Sequence, residues 1–221
     1  RGSIARSPSS EHLPQAYYLQ ASAHNSLGNK AEALQSFAEL GEKFPDSEPA
    51  VPSYFQRAVI LQGDGKMDES VKVLRQFLEK YPETDKLYAA FDYMAHQQVA
   101  LGNREAGVQA YLEMIKTRPT DPNAPRAYLN ISRLYKESAE KMGAYLNLTP
   151  ERRKEWEANI NGCLENGEKL ISAYPDSAEV ALALQNLLWA QQARVKSKIE
   201  GANVRQYFNG LANKFEDNAA A

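Results

Sequence analysis

The residues best suited to nucleophilic or metal chemistry are Cys163 and the three histidines His12, His24 and His96. A nucleophile needs a base beside it, and a metal needs ligands gathered at close spacing. Cys163 has no histidine near it in sequence, and no Cys or His pair has ligand spacing. Neither a phosphate-cradling glycine loop nor a nucleophile elbow occurs. The 28 acidic residues are scattered through the chain, where carboxylates mostly solvate a surface. No catalytic residue, metal or cofactor is expected, and the remaining chemistry is recognition. With 26 basic residues and a net charge of −2, nothing draws the chain to phosphate backbones or anionic lipid, so nucleic acid is not the expected partner. At 43% hydrophobic and 24% charged the chain is apolar enough to fold. No run approaches the roughly 18 apolar residues of a membrane span. The N-terminus lacks the apolar core of a signal peptide, although a signal or lipid anchor removed upstream remains compatible with the sequence. A single cysteine makes no internal disulfide.

The elements that would carry recognition residues are set by a repeat. Pro8, Pro45, Pro82 and Pro119 are spaced 37 residues apart. Nine residues after each stands a large side chain, Tyr17, Tyr54, Phe91 and Tyr128, and four beyond those Ala21, Ala58, Ala95 and Ser132. Pro175 continues the series, with Leu184 and then Leu188 at the usually small site. Large then small at one helical turn lets a second helix approach at the small residue. Twelve before the closing prolines come Ala33, Ser70, Gly107 and Cys163; five before them come Leu40, Phe77, Met114 and Leu170. Gly28, Gly65 and Gly102 separate the two halves as left-handed C-caps. Each unit is therefore a helical hairpin whose second helix stops at proline, with the Asp, Ser or Thr that follows capping the next helix. Pro14, Pro52 and Pro125 fall in first turns, which tolerate them.

This pattern resembles the tetratricopeptide repeat over essentially the whole chain, with units at about 10–45, 47–82, 84–119, 121–175 and 177–216. The usual period is 34, so three extra residues lie between each proline and the next helix. The resemblance implies an all-α, right-handed solenoid of about five hairpins forming one domain, 10–218. Residues 1–9 read as the tail of a preceding repeat or an expression remnant, and 219–221 as a tail. The "FPDS" and "YPDS" endings resemble those of bacterial envelope repeat proteins, including the periplasmic cell-division coordinator and the outer-membrane lipoprotein of the β-barrel assembly machine. That leans the localisation towards a bacterial periplasm or envelope, with the cytoplasm open.

In this family the first helices of the hairpins line a concave groove. Its counterparts here are Tyr18, Ser22 and Asn25; Phe55, Gln56 and Gln62; Asp92, Tyr93 and His96; Arg126, Asn130, Arg133 and Lys136; and Gln185 with Trp189. The line passes from aromatic to basic, which suits an extended peptide or helix carrying an acidic group. Any helical solenoid exposes such residues, so the same line also fits plain surface. The lysine/asparagine carboxylate clamp of some members is absent, because Tyr18 and Ser22 occupy those positions. The fourth unit, 56 residues from Pro119 to Pro175, carries 19 extra. Its first helix should run to about Met142, with Thr149 capping and Pro150 opening a longer second helix. Split evenly, the excess lengthens each helix by roughly two and a half turns, and the hairpin projects. Its tip offers Tyr145, Leu146, Leu148, Arg152, Arg153 and Trp156 as a docking surface, unless Tyr145 and Trp156 fold back to pack the hairpin itself. The expected function is a non-catalytic adaptor or scaffold for a protein partner. A structural spacer or oligomerisation segment, and a glycan or small-ligand binder stacking on Trp189, Tyr93 and Tyr18, are the alternatives.

Overall fold

The computed structural model describes residues 12–219, with side chains as far as Asn213. Pro8, the segment 1–9 and the side chains of the "KFEDN" ending at 214–218 lie outside those described residues. Every element among them is helical, and the chain forms two compact units, one ending at Asn103 and the next beginning at Arg104.

The first unit contains α1 (Leu13–Ser26), α2 (Lys30–Lys43), α3 (Ala50–Gly63), α4 (Met67–Lys80) and α5 (Leu87–Ala100). Each packs on the next, and α1 also touches α3. Gly28 and Gly65 have φ of +80° and +75°. At the first turn Asn29 N donates to His24 O at 2.9 Å and Gly28 N to Asn25 O at 3.0 Å; Lys66 and Gly65 repeat the pattern on Leu61 and Gln62, both at 2.9 Å. These are the paired bonds of a left-handed helix stop, which a Cβ would strain. Ala21, Ala58, Ala33 and Ser70 are fully buried, so the small residues mark where helices approach closest. Ser70 Oγ donates directly to Ala58 O at 2.8 Å across that seam.

The second unit contains α6 (Arg104–Thr117), α7 (Ala124–Met142), a short 3-10 turn (Tyr145–Asn147), α8 (Pro150–Ala173), α9 (Val180–Lys196) and α10 (Val204–Ala219). Helix α7 packs along α8, α8 on α9, and α9 on both α7 and α10. Thr149 and Pro150 open α8 as expected: Thr149 Oγ1 accepts from Arg152 N at 3.4 Å. The lengthening is uneven, however. Against the 14-residue helices α1 to α6, α7 has 19 residues and α8 has 24, gains of five and ten.

Two other expectations change. The residue just before α1, α3, α5, α7 and α9 gives no side-chain cap of its own, but two residues earlier Thr84 Oγ1 accepts from Lys86 N at 3.1 Å, Asp121 Oδ1 from Asn123 N at 2.8 Å and Ser177 Oγ from Glu179 N at 3.2 Å, so the capping is displaced by two residues. Their backbones also close tight turns: Ser47, Thr84, Asp121 and Ser177 return amides to Phe44, Tyr81, Arg118 and Tyr174 at 3.0–3.1 Å. In the fifth hairpin the register moves by one: Ala183 and Leu187 are fully buried, while Leu184 and Leu188 are 36% and 39% exposed. A leucine where other hairpins have a small residue blocks close approach of the second helix, so α9 turns its neighbouring stripe inward.

The recurrent aromatic before proline has a definite task. Tyr81 Oη donates to Pro45 O at 2.7 Å, and Tyr174 Oη to Pro119 O at 2.8 Å. Each ties the end of one hairpin to the end of the previous one.

Candidate functional site

In the first unit the groove positions come together in part. Tyr93 on α5 donates its hydroxyl to Gln62 Oε1 on α3, joining residues from successive first helices. Tyr18 and Phe55 are half-buried, each edge-on to a core ring: Phe37 at 5.4 Å and Phe77 at 5.3 Å. Ser22 Oγ turns back to Tyr18 O at 2.8 Å, while Asn25 and Gln56 are half-buried. Asp92 accepts from Tyr88 Oη at 3.0 Å, and exposed His96 sets Nδ1 2.7 Å from Asp92 O. These rings are wedged against the interior rather than laid open as a stacking shelf.

In the second unit the basic residues are already matched. Arg126 Nε lies 3.5 Å from Glu179 Oε1, and Arg133 Nε lies 3.7 Å from Glu137 Oε1. The Glu179 carboxyl is held below its ordinary value, first by the hydrogen bond from Ser177 and in smaller part by Arg126. Lys136 Nζ stands 5.4 Å from the centre of the Trp189 ring and 3.5 Å from Asn186 Oδ1. Asn130, assigned to the groove, is buried and donates to Tyr111 Oη at 3.1 Å, which makes it part of the frame. Gln185 is exposed.

The hairpin tip folds back. Trp156 is 5% exposed and Leu148 9%, so neither offers surface to a partner. Trp156 packs edge-on to Tyr145, centres 5.1 Å apart, in the core with Ile160 and Leu164. Tyr145 is fixed from three sides: its hydroxyl donates to Glu157, its carbonyl accepts from Arg153 Nε at 3.2 Å, and the guanidinium lies 5.2 Å from its ring centre. The Glu157 bond raises the Tyr145 phenol above its ordinary value. Arg153 also donates to Leu146 O at 2.8 Å, so one expected docking residue is the strut of the turn. Arg152 is exposed, and Leu146 stands out at 56% exposure.

This folding creates a site that spacing alone did not indicate. The turn, the end of α7 and the face of α9 enclose an open cavity of about 370 Å³. Tyr145, Leu146, Trp156, Trp189 and Ala193 form its apolar lining; Glu140 and Lys196 supply charge. Trp189, taken from the groove series, and Leu146, taken from the tip, therefore belong to one depression. Its lining is mainly hydrocarbon and ring, with a few polar groups, as in sites that receive an inserted side chain.

Cys163 is fully buried, with Sγ 3.4 Å from Ser132 Oγ, and burial lifts its thiol to about 11, so it is neutral at physiological pH. Among the described residues no group of three His, Cys, Asp or Glu is placed to hold a metal ion, and no helix is long and apolar enough to cross a membrane.

The sequence profile of the tetratricopeptide repeat family matches residues 15–47 and 53–84, the first two hairpins. Compared with curated protein sequences, the chain finds no match. Among solved structures it is similar to a tetratricopeptide repeat protein from Parabacteroides merdae, with 14% identity, TM-score 0.51, and 92% of this chain and 67% of that one covered. It is also similar to BtubC from P. vanneervenii, with 15% identity, TM-score 0.51, and 90% and 82% covered. The nearly identical TPR-like repeats of a Podosopora anserina protein align at 14% identity, TM-score 0.50, covering 96% and 97%. At these identities the likeness concerns the fold alone.

Proposed function

We propose that this chain, which carries tetratricopeptide repeats, is a non-catalytic adaptor that holds a protein partner against its fourth hairpin. Such repeats mediate protein–protein interactions. The observation that carries the assignment of the face is the cavity between Tyr145, Leu146, Trp156 and Trp189. The exposed Leu146, with half-buried Tyr145 and Trp189 lining the same depression over buried Trp156, gives a partner helix or peptide a place to seat one large apolar side chain, the usual source of binding energy in an interface. Lys196 at the rim favours an acidic residue beside that anchor. The Arg126 and Arg133 positions support an acidic partner less well, because each must first give up Glu179 or Glu137.

A pure spacer gives no reason to keep Leu146 exposed over such a cavity. Glycan stacking loses its platforms, because Lys136 covers Trp189, Tyr93 is bonded to Gln62 and Tyr18 is wedged on Phe37. The "FPDS" and "YPDS" endings support a bacterial envelope setting for the same role.

The test starts from partners captured with the wild-type chain and re-bound as purified proteins. Leu146→Glu places a charge at an exposed position, where stability changes by about 0.5 kcal/mol or less. The expected result is loss of at least about tenfold in affinity, as for an anchor contact. A purified partner that binds Leu146→Glu undiminished, yet is lost with the Arg126→Glu/Arg133→Glu pair, moves the site to the groove and refutes the assignment.

A further inference from the structure

Helix α9 carries one apolar face that the second unit leaves open. Ala181, Leu184, Leu188 and Val195 are all exposed and fall at i, i+3, i+7 and i+14, so they line one stripe of the helix. Leu184, Leu188 and Val195 are 36%, 39% and 44% exposed, while neighbouring Ala183, Leu187 and Ala190 turn inward and are fully buried. Helix α10 leaves the stripe open because it packs towards α8, where Tyr207 Oη donates to Glu168 at 2.6 Å; burial and that bond hold the Tyr207 phenol well above its ordinary value. The cavity at the fourth hairpin lies elsewhere on α9, against Trp189 and Ala193. Gln185 and Gln192, both exposed, flank the leucines, so the stripe carries no charge along its length. Charge stands only at its ends: exposed Asp176 precedes the helix, and exposed Lys196 and Lys198 close it.

An occupant that complements this face offers apolar side chains in its middle, no charge beside them, a basic group against Asp176 and an acidic one against the lysines. The same helix turned end for end has that order. Lys196 lies eight residues beyond Leu188, and Asp176 eight before Leu184, so setting Leu184 of one copy opposite Leu188 of another also sets Lys196 opposite Asp176. A two-fold axis makes each of these contacts twice, and an isologous interface needs such a self-complementary patch. The parallel order would instead oppose like charges at both ends. We propose that the α9 stripe joins two copies of this chain, paired antiparallel through Leu184 and Leu188, with Asp176 and Lys196 meeting at each end. One helix from each copy makes a small interface, so the dimer is of the weak, concentration-dependent class. Nothing in this depends on a protein partner at the fourth hairpin, and Leu146 is untouched in every variant below.

The experiment is sedimentation velocity of the full chain from about 1 μM to about 1 mM, the range in which weak contacts become populated. The expected result is a monomer–dimer equilibrium with no larger species. Leu184→Lys/Leu188→Lys should weaken it by at least about tenfold, as for the loss of central anchors, with circular dichroism and tryptophan fluorescence reporting a folded chain. A charge exchange tests the antiparallel order without touching the leucines. Asp176→Lys alone, and Lys196→Asp/Lys198→Asp alone, should each dimerise about tenfold less tightly than wild type, because both ends of either homodimer then oppose like charges. Mixed in equal amounts, the two variants should recover the wild-type affinity, since every end again pairs opposite charges; a variant that had merely lost its fold would not. The proposal is overturned if the chain stays monomeric throughout, if the leucine variant dimerises like wild type, or if the mixture fails to recover. Species that keep growing with concentration overturn it too, and point to a head-to-tail contact with exposed Leu19 and Leu27 of α1.

Discussion

Gly162, in the middle of α8, lies against the ring of Tyr135 on α7, and replacing it with alanine sets two known effects against each other. A Cβ at Gly162 would stand 2.7 Å from Tyr135 Cδ2 and 2.8 Å from Cε2 and Cγ. Because Cγ is among those atoms, turning the ring about its own axis gives no relief, and the whole side chain must move. That motion also disturbs the Arg104 guanidinium, 5.2 Å from the ring centre. Helix propensity favours alanine over glycine by about 1 kcal/mol. Forcing an extra methyl into a filled contact costs about 1–3 kcal/mol. With the Cβ inside 3 Å of three ring atoms the clash should win, leaving Gly162→Ala less stable by up to about 2 kcal/mol, or a few degrees at roughly 2–4 °C per kcal/mol for a chain of this size. Helical repeats need not unfold all at once, so the probe must report on this unit. Tryptophan fluorescence does, since Trp156 and Trp189 are the only tryptophans and both lie after Arg104. The sharper test is a sign reversal: in a Tyr135→Ala background, the same Gly162→Ala change should stabilise by about 1 kcal/mol. If Gly162→Ala raises the urea midpoint in the otherwise wild-type chain, the close contact of α7 and α8 is refuted.

Two further expectations can be measured on the same material. Burial lifts the Cys163 thiol from 9.0 to about 11; a group raised on folding contributes fully below its unfolded value and loses that contribution as pH climbs through the folded one. Stability should therefore fall between pH 9 and 11 by on the order of 3 kcal/mol from this residue, and Cys163→Ala should flatten that limb, with Tyr207→Phe acting at still higher pH. Reversing Arg126 and Arg133 to glutamate replaces two exposed attractions with repulsions, each worth less than about 1 kcal/mol; circular dichroism should show a folded chain with a midpoint lowered by no more than a few degrees.

The hairpin frame was legible because it rests on local rules. Glycine at the turns, small residues at seams, and Thr149-Pro150 at the start of α8 each encode one backbone event within a few residues. What stayed hidden depends on partners far along the chain. Gln97 donates to Ser70 at 2.8 Å, and Asn186 to Ser132 at 3.4 Å; these buried polar links look like surface residues in the sequence. Glu179, which pairs with Arg126, lies 53 residues from it. Trp156 could not be placed from the sequence, because an apolar residue near a hairpin tip serves docking and self-packing equally well. The register of α9 was misread for the same reason: Leu184 and Leu188 matched the spacing, but the close second helix that spacing presupposes does not form there.

The candidate docking site arises from these departures and not from the repeat. Had α7 and α8 grown equally, their ends would have met at a short turn, as at Gly28 or Gly65. Because α8 gains ten residues and α7 five, the connecting segment must travel back to α8, and it does so through the 3-10 turn pinned by Arg153. That return places Tyr145 over Trp156, leaves Leu146 outside, and forms a wall opposite Trp189. A partner reading the features shared by every hairpin would find them several times along the chain and gain no single register. One that seats a side chain between Leu146 and Trp189 finds one position among the described residues. Specificity therefore favours the irregular hairpin, with the regular ones serving as its support.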